Sequence, residues 1–382
     1  MTLSAFTFAT AGTIDFGRGV AARAVASIAA LGQRVLLVTG SDPSRAAWLR
    51  SALEAQGAQV TLFSAAAEPD IALIERGVSA ARSAGIDSVI AIGGGAVIDT
   101  GKAIAALAPA ERPMLDHLEV VGKGLPLEAP PLPFTACPTT AGTGAEVTRN
   151  AVISVPEARR KVSLRDPAML PARAIVDPAL TDNCPRAVTL ASGLDAITQV
   201  IEPYLSSRAN PMTDLICRDA IPRGLTAIQT LMQGEDPDAR DAMAWVSLCG
   251  GLALANAGLG VVHGLAGPLG GLSTAAHGAI CGALLPHGLR ANAQAGGDRV
   301  LTQRMADVQG WIVQALGGPP DAAFDRLHGW SRDAGLPGLD AQGIGDDARA
   351  QAATSAATSS SMKANPVPLT EAQLTDLMQQ AR

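Results

Sequence analysis

In "SGLDAITQVIEPYLS" (Ser192–Ser206) an acid and an amide, Asp195 and Gln199, stand four residues apart. On a helix that spacing stacks both side chains on one face, which is how a helix offers two ligands to a metal ion. The second place holds a glutamine, whose carbonyl oxygen is a weaker donor to iron or zinc than an imidazole nitrogen. Of the five histidines in the chain, His263, His277 and His287 lie together in "GVVHGLAGPLGGLSTAAHGAICGALLPHG". His263 and His277 each precede a glycine in apolar surroundings. Joined to Asp195, they make a two-histidine, one-carboxylate set with an open position, suited to a Lewis-acidic divalent metal. Histidines on apolar helices serve equally as hydrogen-bonded core residues, so residue type alone leaves both readings open. His287 closes "LLPHG" and is expected to play a structural part at a helix end. No Ser-His-Asp or Cys-His pattern points to a side-chain nucleophile.

Two glycine-bearing stretches could hold a nucleotide. "IGGGAVIDTGK" (Ile92–Lys102) joins an apolar, β-branched run to a helical one. Gly93, Gly94 and Gly95, with Ala96 behind them, let the backbone approach a ligand closely, and the helix N-terminus that follows favours an anion. A diphosphate would suit this loop. It is neither G-x-G-x-x-G nor the P-loop pattern, and a plain tight turn would use the same glycines. Asp99 and Lys102 fall on the first turns of the helix, where a solvated pair is the plain expectation. "PTTAGTGAEVT" (Pro138–Thr148) supplies Thr139, Thr140 and Thr143, whose hydroxyls suit the ribose or amide groups of a nucleotide and equally a capped turn.

The elements around these residues follow two rhythms. "RVLLVTG", "AQVTLFS", "DSVIAIGGG" and "PLPFTACP" read as strands that alternate with amphipathic helices, which implies βαβ units and a parallel sheet covered on both faces. "NAVISVPEARRKVSLRD" reads as a hairpin and "ARAIVDP" as a last strand. Beyond "TDNCP" the periodicity is helical to the C-terminus. The chain is therefore expected to be an α/β, Rossmann-like domain over 1–181 and an all-helical domain over 182–382.

Composition narrows the function. A net charge of −6 without any Lys/Arg cluster offers nothing to nucleic acid. The five cysteines lack paired spacing, which argues against a disulfide framework or a cysteine-type zinc site and fits a reducing, cytoplasmic compartment. The N-terminus lacks the basic and apolar regions of a signal peptide. "CGGLALANAGLGVV" is expected to be a buried core helix and not a membrane span.

Taken together, "GGGAVIDTGKA", "PTTAGTGAEVTRNAVI" and "HGLAGPLGGLSTAAHGAICGALLPH" resemble the iron-containing (group III) alcohol dehydrogenase family, related more distantly to glycerol dehydrogenase and dehydroquinate synthase. The likeness runs through "RKVSLRDPAMLPARAIVDPALT" to "SSSMKANPVPLT". It implies an active site in a cleft between the two domains, and a nicotinamide cofactor whose diphosphate meets Gly94, Gly95 and Ala96, where the family usually has GGGS. Thr139, Thr140 and Thr143 would line the nucleotide, and Lys161 would lie near the nicotinamide ribose. Asp195, His263 and His277 match three metal ligands, for iron or zinc, and Asn150, Gly267 and Ser361 fall on the substrate side. The implied reaction is hydride transfer between the nicotinamide and a small alcohol or its aldehyde, ketone or oxo-acid partner. Relatives of this kind are commonly dimers or larger.

Two positions depart from the family pattern. Gln199 stands where a histidine ligand is usual, and Gly267 replaces a histidine near the substrate. Three ligands could suffice, Gln199 could ligate directly or through water, or the enzyme could work without metal, as a maleylacetate reductase-like protein would. A dehydroquinate synthase-like lyase and a non-catalytic nucleotide binder are the remaining alternatives. Where many NAD-using relatives carry Asp at the end of the first strand, here "RVLLVTG", this chain has Gly40, with Ser41 and Arg45 beside it. An absent carboxylate and a nearby guanidinium lean toward NADP over NAD, although Asp42 would oppose a phosphate.

Overall fold

The computed structural model describes residues 5–357 and 359–382. The chain divides into two compact units. One is α/β, comprising Thr10–Thr140 and Gly144–Asp182. Of the described residues, the other comprises 5–9, Ala141–Thr143 and the chain from Asn183 to Arg382.

In the α/β unit the elements run β1 (Thr13–Phe16), α1 (Val20–Ala29), β2 (Arg34–Thr39), α2 (Ala47–Ala55), β3 (Gln59–Ser64), α3 (Ile71–Ser83), β4 (Ser88–Gly93) and α4 (Gly95–Leu107). A short α5 (Met114–His117) follows, then β5 (Phe134–Pro138), β6 (Asn150–Val155), β7 (Arg160–Arg165) and β8 (Arg173–Val176). Among the described residues, six strands form a parallel sheet in the order β1-β8-β5-β4-β2-β3. "RVLLVT" and "SVIAIG" are apolar on both faces because helices cover both sides of the central strands. The β6–β7 pair is an antiparallel hairpin outside the sheet. β1 lies at the sheet edge and was not among the expected strands: four residues carry no readable period, and their partner β8 lies far along the chain.

Lys102 overturns the expectation of a solvated helix pair. It is 1 % exposed, and its ammonium donates to the carbonyl oxygens of Ala145, Thr148 and Asn150 and to Thr148 Oγ1 at 2.6–3.0 Å. One buried cation thus ties α4 to the chain entering β6, its desolvation offset by four acceptors.

The second unit contains α6 (Arg186–Leu205), α7 (Pro211–Gln233), α8 (Pro237–Ala257), α9 (Val261–Leu272), α10 (His277–Ala295), α11 (Arg299–Leu316), α12 (Ala323–Asp333), α13 (Asp346–Ala356) and α14 (Glu371–Gln380). No strand occurs among its described residues. α6 runs through the middle of one large apolar core, with Ala196, Ile197, Val200 and Ile201 fully buried. Among the described residues no single helix is long and apolar enough to cross a membrane; α8 and α9 reach that length only together, and they bend by 99° where they meet.

Candidate metal centre

The inward face of α6 carries Asp195, Gln199 and Glu202 at i, i+4 and i+7, all buried. Two other helix starts face it. His263 is the third residue of α9, and His277 is the first residue of α10. Asp195 Oδ1 lies 3.3 Å from His263 Nε2 and 3.9 Å from His277 Nε2, and the two imidazole rings stand 5.5 Å apart. Cys281, one turn beyond His277, brings its Sγ to 3.6 Å from His277 Nε2. Ligand atoms of Asp195, His263, His277 and Cys281 all fall within 4.8 Å of one another.

This cluster is polar and under-bonded, and it is buried except at the half-exposed His277. Asp195 Oδ1, His263 Nε2 and Gln199 Oε1 have no hydrogen-bond partner, a condition that costs a folded protein free energy at each atom. A divalent cation among these donors would satisfy Asp195 and His263 together, so the residues present fit a metal. Gln199 is partly committed elsewhere, its Nε2 donating to the Gly142 carbonyl at 3.2 Å.

Two neighbours of the cluster explain how it is held. Glu202 Oε1 accepts the Val262 amide at 2.7 Å, while Asn365 Oδ1 accepts the Val261 amide at 2.9 Å, so side chains satisfy the first amides of α9. Gly260 makes this possible: a Cβ there would stand 2.9 Å from both acceptors. Glu202 Oε2 also lies 2.6 Å from His263 Nδ1. A carboxylate only accepts, so Nδ1 carries a proton, and Nε2 is the ring nitrogen turned toward Asp195 and the one a metal would take in place of its proton. Gly278 does for α10 what Gly260 does for α9. A Cβ at Gly278 would meet the Ala191 carbonyl oxygen at 2.4 Å, so only glycine lets this turn rest on α6 beside Asp195.

Charges in the cluster hold one another. Burial pushes Asp195 up, but the facing His277 and His263 imidazoles outweigh it and bring the carboxyl down to about 2. Cys281, against the effect of burial, and Asp195 raise His277 to about 9. Burial also works against a charged His263, yet Cys281, Asp195 and Glu202 raise it well above its ordinary value.

Glu202 and Cys281 were not among the expected site residues. Both were signalled by spacing: Glu202 falls seven residues after Asp195 on the same face, and Cys281 four after His277. Glu202→Gln keeps the shape but weakens the hold on Nδ1, so metal affinity should fall about 10- to 100-fold. Competition with a chromogenic chelator measures this.

The nucleotide-binding candidates Gly93, Gly94, Gly95, Ala96, Thr139 and Thr140 belong to the α/β unit. Gly93 ends β4, and Gly94 precedes α4; no side chain caps that helix, so the first amides of α4, those of Gly95 and Ala96 included, have no partner within the helix. Thr139 donates its amide to the Gly93 carbonyl, and a Cβ on Gly94 would lie 3.4 Å from Thr140 Oγ1. The α/β unit thus brings the two loops side by side at the carboxyl ends of β4 and β5, the edge where open parallel sheets bind ligands. Thr143, half-buried, belongs to the helical unit.

Other positions have partners of their own. Asp99 accepts the Val152 amide at 3.0 Å, joining α4 to β6. Lys161 pairs with Glu68 at 3.2 Å. Asn150 uses its carbonyl for Lys102. Gly40 follows β2 with Ser41 and Arg45 exposed beyond it. Ser361 is half-buried just before the turn Met362–Ala364. A Cβ on Gly267, one turn after His263, would meet nothing within 4 Å.

His287 departs from its expected place at a helix end. α10 continues to Ala295, leaving His287 buried in mid-helix with its ring 4.9 Å from that of His328. Burial and His328 push it down to about 4 from the usual 6.5. As pH falls below 6.5 the unfolded chain takes up the proton first, so stability is lost down to about 4. His287→Asn should remove about 2 kcal/mol of that loss, after allowance for partial solvent access. Urea unfolding at neutral and acid pH reads the difference.

Comparisons with known proteins bear on both units. Residues 11–178 match the family model described as iron-containing alcohol dehydrogenase. Residues 189–382 match that of the C-terminal part of the Fe-containing alcohol dehydrogenase family. Lactaldehyde reductase of Escherichia coli K12 is 34% identical over 332 residues, covering 85% of this chain and 86% of that protein. The 1,3-propanediol dehydrogenase of Klebsiella pneumoniae is 33% identical over 80% of both chains. Among solved structures, a 1,3-propanediol oxidoreductase superposes with a TM-score of 0.90 at 28% identity, over 99% of this chain and 100% of that one. An alcohol dehydrogenase from Oenococcus oeni gives 0.88 at 27%, with the same coverage. Both halves of the sequence and the whole fold lead to one conclusion: the chain belongs to the iron-containing alcohol dehydrogenase family and is an oxidoreductase that interconverts alcohols and carbonyl compounds.

Proposed function

We propose that this chain reduces a small aldehyde or oxo-acid, or oxidises the matching alcohol, using NAD or NADP and one divalent metal held by Asp195, His263 and His277. The observation that carries the reading is the pair of buried atoms without hydrogen bonds, Asp195 Oδ1 and His263 Nε2, facing each other at 3.3 Å with His277 alongside. A divalent cation there would supply Lewis-acid polarisation of the substrate oxygen, and the nicotinamide would supply or accept the hydride. The remaining work falls to the chain. Glu202 accepts from His263 Nδ1 and so fixes the ring with Nε2 toward Asp195, where it would bind the metal. The first amides of α4, beside Gly94, Gly95 and Ala96, would receive the cofactor diphosphate. Thr139, Thr140 and Thr143 would offer hydroxyls to the nucleotide.

The position after β2 supports NADP over NAD. Gly40 brings no carboxylate to repel a 2′-phosphate, and Asp42 Oδ1 accepts the Ser44 amide at 3.1 Å while Arg45 stays exposed. On the substrate side, open space at Gly267 favours a carbonyl compound bulkier or more polar than a simple primary alcohol's product. Asn150 and Ser361 are the other substrate-side candidates.

A panel of aldehydes and oxo-acids, offered with NADH and with NADPH, tests the reading. The expected result is loss of reduced-cofactor absorbance, mole for mole with substrate, and a higher kcat/KM for NADPH. Substrate consumption with no net cofactor change would instead assign a lyase. Silence across the panel would remove the enzymatic reading.

A further inference from the structure

We propose that Cys281 is the fourth protein ligand of the metal centre, binding as a thiolate in place of the imidazole that Gln199 lacks, and that it biases the centre toward zinc. The inference rests on the proposal that Asp195, His263 and His277 bind metal. It goes beyond it because the family's pattern has no cysteine ligand.

His277 and Cys281 are four apart on α10 and share a face, as Asp195 and Gln199 do on α6. With zinc–nitrogen bonds near 2.0 Å and zinc–sulfur bonds near 2.3 Å, tetrahedral donors stand about 3.3 Å (N to O) and about 3.5 Å (N to S) apart. The protein presents 3.3 Å between His263 Nε2 and Asp195 Oδ1 and 3.6 Å between His277 Nε2 and Cys281 Sγ. All four donors lie within 4.8 Å of one another. Cys281 is 0 % exposed and free of any disulfide, so it is not placed for exchange with solvent thiols.

Gln199 already gives its Nε2 to the Gly142 carbonyl and can offer only a neutral oxygen. Asp195 would be the ion's one anionic ligand, since Glu202 acts on it only through the His263 ring. A thiolate adds a second anionic donor bound directly to the ion. On coordination the sulfur–metal bond forms, and the proton that the Cys281 sulfur shares with the His277 imidazole passes to the buffer. Soft sulfur selects zinc over iron among the candidate ions. Zinc also accepts a fifth donor, so four protein ligands do not close the centre to substrate.

Cobalt(II) substitution of the full-length, metal-stripped protein tests this without recourse to activity. The expected result is one cobalt per chain with an intense near-ultraviolet thiolate-to-cobalt charge-transfer band. Cys281→Ser should lose that band, release one proton fewer per metal bound, and bind zinc about 10-fold or more weakly. Gln199→Ala should keep the band. If Cys281→Ser fails to fold, the wild-type spectrum and Cys281→Ala still decide. Cobalt bound without the band overturns Cys281 as ligand and leaves the metal reading standing. Failure of the wild type to bind either cobalt or zinc overturns both.

Discussion

Asp195→Asn yields a folded protein that has lost tight metal binding and about 1,000-fold or more in kcat/KM. The size of the loss follows from what the carboxylate does. Asp195 Oδ1 is the atom both imidazoles face, at 3.3 and 3.9 Å, and removing one well-placed electrostatic stabiliser typically costs 100- to 1,000-fold in rate. Here the loss compounds, because a neutral amide also weakens the cation's hold on the whole set. Shape is nearly unchanged, so the α6 core around Ile197 and Val200 should stay packed. Elemental analysis, steady-state kinetics and a melting curve on the same preparation separate these effects. Full metal content with normal turnover would remove Asp195 from the centre.

Gly278→Ala should damage the same site from outside it. The new methyl would stand 2.4 Å from the Ala191 carbonyl oxygen, a backbone atom that cannot rotate away. α10 must lift from α6, which separates His277 from Asp195. Overpacking of this kind costs about 1–3 kcal/mol, and metal affinity should fall with it. Gly267→Ala is the control: its Cβ meets nothing within 4 Å, and replacing a mid-helix glycine gains about 0.5–1 kcal/mol. The first substitution should lower the melting temperature and the metal content, the second neither. Equal behaviour of the two would show that the contact between α10 and α6 does not shape the centre.

These cases mark how far the sequence could be read. β2 and β4 were legible because unbroken apolar runs need a sheet covered on both faces. β1 was not, since its four residues become a strand only through β8. Asp195, His263 and His277 stood out by type and spacing, and folding brings them together. Their supports were harder to see. Glu202 looked like another helix acid until α9 set the Val262 amide and the His263 ring against it. Cys281 was discounted along with its four widely spaced fellows, although "HGAIC" has the same four-residue step as "DAITQ". Gln199 is tethered by a loop segment, Ala141–Thr143, that sorts with the helical unit, and no local pattern announces such a choice. Lys102 and His287 show the opposite limit. A place on the first helical turns suggested solvent for one and the close of "LLPHG" suggested a helix end for the other, while four acceptors bury Lys102 and α10 runs on past His287.

The central claim is that one divalent metal, held by Asp195, His263 and His277, is required for hydride transfer. Its most direct test is a metal titration of chelator-stripped protein, following reduced-cofactor absorbance with a substrate from the panel. The account predicts no turnover before metal is added, then a linear rise that stops at one equivalent per chain. Full turnover by the stripped protein, or stripped protein that no divalent metal revives, would contradict it.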